Sequence, residues 1–254
     1  MAWPRVQDNR ILAALLAMLA ALAWYALWLG EKTPFGHAFL HSGHHMHVAS
    51  SGWMLALAFV AGWTVMTIAM MLPTSSPMVL MFHRMVNDRP QGNWLVALLI
   101  AGYLSVWIFF GAVVYLFIRI LHLATAQLPW WTTHAWIGSG VLLLGAGAFQ
   151  FSSLKHACLD KCRSPMTFLV ERWRGARPAR EALRLGMDHG IYCVGCCWSL
   201  MLVMFAVGAG SLAWMLALAV VMAAEKNLPW GRRLSAPVGV LLIAGAVAVF
   251  VLQR

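Results

Sequence analysis

Long apolar runs, almost free of charge, recur along this chain and leave few folds open to it. Residues 11–29, 53–72, 94–118, 135–151, 190–207, 212–224 and 236–252 are the candidate spans. A helix needs roughly 20 apolar residues to cross the hydrocarbon of a bilayer. Every backbone N–H and C=O must be satisfied there without water, which leaves helices and closed barrels. The runs are continuous and do not alternate, so helices follow. The expected fold is all-α: a polytopic transmembrane helical bundle of about seven spans. The run 212–224 is short, and is expected to extend back through Gly210 or to tilt against the fifth span. Composition agrees, with 62% hydrophobic and 10% charged residues, where a soluble domain carries about 25% charged. The first run is too long for the apolar core of a signal peptide, and no small-residue cleavage site follows it. No internal repeat is visible, and the loops are too short for a second folded domain. The chain divides into 1–52, a first helix with an outer loop, and 53–254, a helical core with a basic cytosolic loop at 152–189.

The net charge of +10 raises the question of nucleic acid, but the loops hold no nucleic-acid module. The positive-inside rule accounts for it better. With the N-terminus in the cytosol, seven spans put Arg5, Arg10, Arg84, Arg89, Lys155, Lys161, Arg163, Arg172, Arg174, Arg177, Arg180, Arg184, Lys226, Arg232 and Arg233 on the cytosolic side. Lys32, Arg119 and Arg254 remain outside, a split of 15 against 3. This is the pattern of a multi-pass protein of a cytoplasmic (inner) membrane, with lipid and no nucleic acid among its partners. In the basic loop, Phe168, Leu169, Trp173 and Leu183 stand among arginines. They read either as an interfacial helix on an anionic leaflet or as part of a solvated charge run that enforces topology. Pro178 interrupts the apolar face.

All five cysteines fall between residues 158 and 197. Cys158 and Cys162 are one helical turn apart and share a face. Cys193, Cys196 and Cys197, at i, i+3 and i+4, share another. In the topology above both groups reach the cytosolic border of the membrane. Cytosolic thiols stay reduced, which favours metal binding or redox chemistry over structural disulfides. Lys155, Lys161 and Arg163 flank the first pair, and nearby cations favour thiolates. His156 and His189 stand beside the two clusters as nitrogen ligands. A purely structural role, with small cysteines packing helices, is the competing reading.

Methionine adds to the sulfur. Met66, Met70 and Met71 end the second span, at the level of the cysteines. Cys193, Cys197, Met201 and Met204 form a stripe on one helix face. Thiolate and thioether donors select Cu(I) over hard divalent ions, with zinc the other candidate, while a lone methionine more commonly fills a packing gap. The outer tract HAFLHSGHHMH carries His37, His41, His44, His45 and His47, a compositional signal for metal capture. Glu225 lies at the end of an apolar run, where carboxylates are functional candidates; an ion pair with Lys226 or an arginine of the basic loop is the plainer reading. Gly138, Gly140, Gly145 and Gly147 look like helix-packing positions.

Three segments carry a resemblance. MTIAMMLPTSSP from Met66, GAFQFSSLKHACLDKCRSP ending at Pro165, and GMDHGIYCVGCCWSLMLVMFAVG from Gly186 resemble the signature blocks of a bacterial family, as does the Glu225–Lys226 pair. That family consists of predicted metal-binding integral membrane proteins under a domain-of-unknown-function label, and some members are named copper chaperones. The resemblance covers residues 52–252. It implies that Cys158, Cys162, Cys193, Cys196 and Cys197, with Met70 and Met71, occupy the family's motif positions. The outer histidines rest on composition alone.

The expectation is a membrane protein that binds Cu(I) at a cysteine site and exchanges it with a soluble or membrane partner. A thiol–disulfide oxidoreductase using Cys193 and Cys196, or a scaffold for assembling a membrane metalloenzyme, are the alternatives. No Walker A or aspartyl-phosphate motif is present, and no catalytic residue is assigned. The topology is open to test. A reporter active only in the cytosol should work when fused after Arg184 and stay silent after Arg254. The reverse result would put the cysteines on the other side.

Overall fold

The computed structural model describes residues 3–32, 52–125, 130, 134–207 and 211–252. Ten α-helices and no strand occur among them: α1 (Trp3–Lys32), α2 (Gly52–Met70), α3 (Ser76–Val86), α4 (Gly92–Thr125), α5 (Ala135–Phe149), α6 (Ser153–Arg163), α7 (Pro165–Arg172), α8 (Pro178–Val207), α9 (Leu212–Asn227) and α10 (Ser235–Leu252). Short 3-10 turns at Pro73–Ser75 and Gly231–Leu234 join α2 to α3 and α9 to α10. The all-α expectation holds.

Local chemistry sets the breaks. Pro73 opens the 3-10 turn, and Pro77 falls in the first turn of α3. Both are positions where a missing N–H costs nothing. Ser152 caps α6 by accepting the Lys155 N–H at 3.1 Å, and Ser211 accepts from Trp214 at the start of α9, each meeting a donor the helix leaves unpaired. Pro178 does not interrupt a helix as the sequence implied; it is the first residue of α8, a 30-residue helix. The Glu181 carboxylate accepts from the backbone N–H groups of Arg174, Gly175, Ala176 and Arg177 at 2.6–3.1 Å. This satisfies the turn that leads into α8, where Gly175 has φ 74°, a left-handed conformation suited to glycine.

Five stretches are long and apolar enough to cross a membrane: Asn9–Lys32, Trp53–Met70, Gly92–Thr125, Pro178–Ala206 and Gly231–Leu252. The expected fourth span ends at Phe149 and turns by 64° into α6; the two together make a sixth by the same measure. The expected sixth span, α9, has 16 residues and is too short to count alone. Leu15, Met18 and Leu22 of α1, Phe109, Leu116 and Phe117 of α4, and Val240, Leu241 and Val251 of α10 face outward, a surface suited to lipid.

The most extensive helix pair is α4 with α8. A side chain at Gly102 would run into the Leu183 carbonyl, and one at Gly186 into the Leu99 carbonyl. The two backbones therefore touch, as small residues allow in membrane bundles. On the opposite side α5 packs on α10. Gly140 faces the Phe250 ring and Gly147 faces Ile243 and the Gly239 carbonyl, whereas Gly145 meets open space and is not a packing position. Trp24 of α1 donates to the Ala69 carbonyl at 3.1 Å, and Trp63 of α2 to the Trp107 carbonyl at 3.0 Å.

Phe168 and Leu169 of α7 are buried, with the Phe168 ring edge-on to His189 and Tyr192. Trp173 meets Phe82 of α3 edge-on at 4.9 Å. Phe168 and Leu169 turn into the core, where α3 and α8 offer them apolar surface, while Met166 and Val170 of α7 stay exposed. Overpacking a tight glycine contact costs about 1–3 kcal/mol. Gly186→Leu should therefore lower the unfolding temperature in detergent, measured by tryptophan fluorescence, while Gly145→Ala changes it little. Equal effects would contradict the α4–α8 contact.

Candidate metal centre

Both cysteine groups arrive at one place, from α6 and α8. Cys158 sits against Gly195, where a Cβ would lie 2.6 Å from the thiol sulfur; glycine lets α6 seat on α8. All five cysteines are free thiols. Cys193, Cys196 and Cys197 are fully buried, Cys158 lies at the edge of the core and Cys162 is partly exposed. The Cys196 sulfur is 3.9 Å from that of Cys162 and 3.3 Å from that of Cys197. Cys197 lies one turn after Cys193 on α8 and shares its face. The Cys196 thiol also donates to the Cys193 carbonyl at 3.2 Å.

These separations bear on metal chemistry. Two sulfurs bound at about 2.3 Å to one tetrahedral ion stand roughly 3.8 Å apart. The Cys162–Cys196 distance matches that value, and the Cys196–Cys197 distance is shorter. Among the described residues no group of three or more His, Cys, Asp or Glu side chains is gathered as a metal cage. The sulfurs instead form a series of close pairs.

Polar groups from α4, α9 and the 3-10 turn after α2 surround the sulfurs. The Lys226 ammonium of α9 donates to the Cys193 sulfur at 3.0 Å, to the Thr74 hydroxyl at 3.1 Å and to the Met71 sulfur at 3.7 Å. The Tyr103 hydroxyl of α4 is 3.1 Å from the Cys193 sulfur and 3.4 Å from the Met71 carbonyl. One residue earlier on α9, Glu225 faces away from this cluster, since neighbours on a helix project roughly 100° apart. Its carboxylate accepts from Lys155 at 2.8 and 2.9 Å and from Ser235 at 2.8 Å. Lys155 also donates to Gln150, and Arg163 donates to the backbone carbonyls of Glu225 and Pro229. The ion pair expected for Glu225 is thus made with Lys155, not with Lys226 or an arginine.

The other anticipated ligands are spread more widely. Met71 reaches the cluster through Lys226. Met66 and Met70 are buried on α2, and Met201 and Met204 continue the buried face of α8 beyond Cys197. His189, one turn before Cys193, places Nε2 3.4 Å from the Ser75 hydroxyl, and its ring packs on Tyr103 and Phe168. Its Nδ1, like that of His156, has no hydrogen-bond partner. His37, His41, His44, His45 and His47 lie outside the described residues. Tyr103, Thr74, Gln150 and Ser235 were not anticipated, nor was the reach of Lys226 to Cys193. The available signal was a second charge, Lys226, in an apolar helix.

A family model described as copper chaperone matches residues 60–249. The chain belongs to this copper chaperone family. The matched region holds every cysteine, Met71 and the Glu225–Lys226 pair. No curated protein and no solved structure matches the chain. In this family member, breaking the buried pair should be costly, because a lone buried charge is left behind. Lys155→Met should destabilise by about 3–5 kcal/mol, and Lys155→Met with Glu225→Leu should recover most of that loss. Denaturant unfolding of the purified protein measures both; a double variant as unstable as the single one would contradict the pairing.

Proposed function

We propose that this chain is an integral protein of the bacterial inner membrane that binds Cu(I) and hands it along its cysteine sulfurs to or from a partner. The family supports a copper-related role, and the outward apolar faces support membrane embedding. The observation that carries the reading is the ladder of thiols: partly exposed Cys162, then Cys196 at 3.9 Å, then Cys197 at 3.3 Å, then Cys193. A soft ion moves along such a series by exchanging one sulfur for the next, never losing all its ligands at once. Cys162 is the point of entry or exit, where a partner's thiolate can share the ion. Cys158, seated on Gly195 beside this ladder, is a supporting ligand. Met201 and Met204 extend the soft lining deeper into α8. With the N-terminus cytosolic, the histidine tract 37–47 faces outward and collects metal there.

The experiment is copper retained per chain by the purified protein under competition from a Cu(I) chelator. Cys193→Ser with Cys196→Ser should abolish tight binding while membrane insertion persists, because serine keeps the shape but not the soft donor and satisfies its hydroxyl on a helix carbonyl. Cys158→Ser with Cys162→Ser should weaken retention. Met201→Leu and Met204→Leu should have smaller effects. A double serine variant at 193 and 196 that keeps as much copper as the parent would overturn the site. A parent that carries no metal would favour thiol–disulfide exchange or a scaffold role.

A further inference from the structure

The buried charges of the core do not cancel. Lys155, Glu225 and Lys226 are at most 5% exposed. Glu225 is fully engaged by Lys155, with both oxygens within 2.9 Å of the ammonium. Among the described residues no carboxylate lies within ion-pair distance of Lys226. The three donors of its ammonium are directed at Cys193, Thr74 and Met71. One positive charge therefore stands in the core with sulfur as its charged or polarisable neighbour. An uncompensated buried charge is costly, and a neighbouring anion relieves it.

Two thiolates holding one monovalent copper ion make a complex of net charge −1, because each thiol gives up its proton and Cu(I) returns one charge. With the Lys226 ammonium at 3.0 Å from Cys193 the sum is zero. The same two thiolates holding a divalent ion are neutral, and the lysine is left unbalanced. We infer that Lys226 is a specificity-determining residue, the fixed counter-charge that makes the Cys193 sulfur site prefer monovalent copper to divalent zinc. Met71, whose sulfur shares the ammonium with Cys193, offers a neutral soft donor that leaves this balance unchanged. The inference rests on the copper reading of the cysteine cluster and adds to it the origin of metal selectivity.

The test uses the full chain, purified in detergent under reducing, anaerobic conditions and titrated with Cu(I) and separately with Zn(II) against competing chelators. Lys226→Gln is one atom shorter, keeps N–H donors and removes the charge. It should lower Cu(I) affinity about tenfold or more and leave Zn(II) affinity equal or higher, while Lys226→Arg should keep the parent's preference. A Cu(I)-to-Zn(II) affinity ratio in Lys226→Gln equal to the parent's would overturn the inference. So would a parallel fall for both ions, which would mark lysine as merely structural. X-ray absorption of the copper-loaded parent gives an independent measurement if the glutamine variant does not fold. Copper bound by two thiolates is expected, and a third thiolate would break the charge balance and overturn the assignment. A parent that binds no Cu(I) would sink the copper reading itself, whereas a parent that binds Cu(I) with the wrong ratio sinks only the role of Lys226.

Discussion

A lysine and a glutamate buried side by side in an apolar bundle must satisfy each other almost completely, because desolvating either alone costs several kcal/mol. Lys155 and Glu225 meet that condition. Both carboxylate oxygens face the ammonium, Gln150 takes a third donor, and Ser235 donates to the carboxylate from the start of α10. The pair joins the end of α5, the first turn of α6, the end of α9 and the start of α10. Arg163, at the other end of α6, reaches the backbone carbonyls of Glu225 and Pro229. With both ends of α6 held, Cys158 and Cys162 have little freedom in where they face. The position of the first cysteine pair is therefore an electrostatic consequence of the Lys155–Glu225 contact.

The second cysteine group is placed by packing. Gly102 and Gly186 bring α4 and α8 to backbone contact, and only at that distance does the Tyr103 hydroxyl reach the Cys193 sulfur. Gly195 does the same on the next face of α8, admitting Cys158. The helix α8 is thus approached closely on two sides by small residues, and its thiols are enclosed by α4, α6 and α9. Around those thiols the charged neighbours are donors: the Lys226 ammonium and, farther out, the Arg163 guanidinium. Donors support thiolates and offer nothing to a hard cation, which agrees with the soft character of the sulfurs.

Much of this was readable from residue order, and the parts that were not share a cause. Apolar runs report the solvent a segment prefers, so the helices were legible as helices. They do not report where a helix stops. Phe149 ends α5 within a continuous apolar run, and α8 starts at Pro178, well before its own run begins. The i, i+3, i+4 spacing of Cys193, Cys196 and Cys197 specified a shared face, and both cysteine groups do meet. The partner of Glu225 was misread because sequence adjacency made Lys226 the obvious choice, whereas the helical twist sends the two side chains to opposite neighbours. Tyr103 gave no signal, since a tyrosine in an apolar run is commonplace and its value lies in a glycine contact on another helix. Phe168 and Leu169 gave no sign in the sequence of the surface that α3 and α8 offer them, since that surface comes from helices distant in the chain.

The copper chaperone family match starts at residue 60, which leaves α1 and the histidine tract outside it. Helix α1 packs on the core through Leu16, Ala23 and Leu27, through Trp24, which donates to the Ala69 carbonyl, and through Asn9, which meets His83 at 2.7 Å. Neither hydrogen bond involves a sulfur or a member of the buried charge cluster. The cluster is assembled from α4, α6, α8 and α9, and the stretch after α2 that holds Met71 and Thr74. A cluster built this way depends on four helices keeping register, so its side chains are held by the fold, not by one flexible motif. Under the proposed function Cys162, the partly exposed member of the five, is the thiol placed to meet a partner.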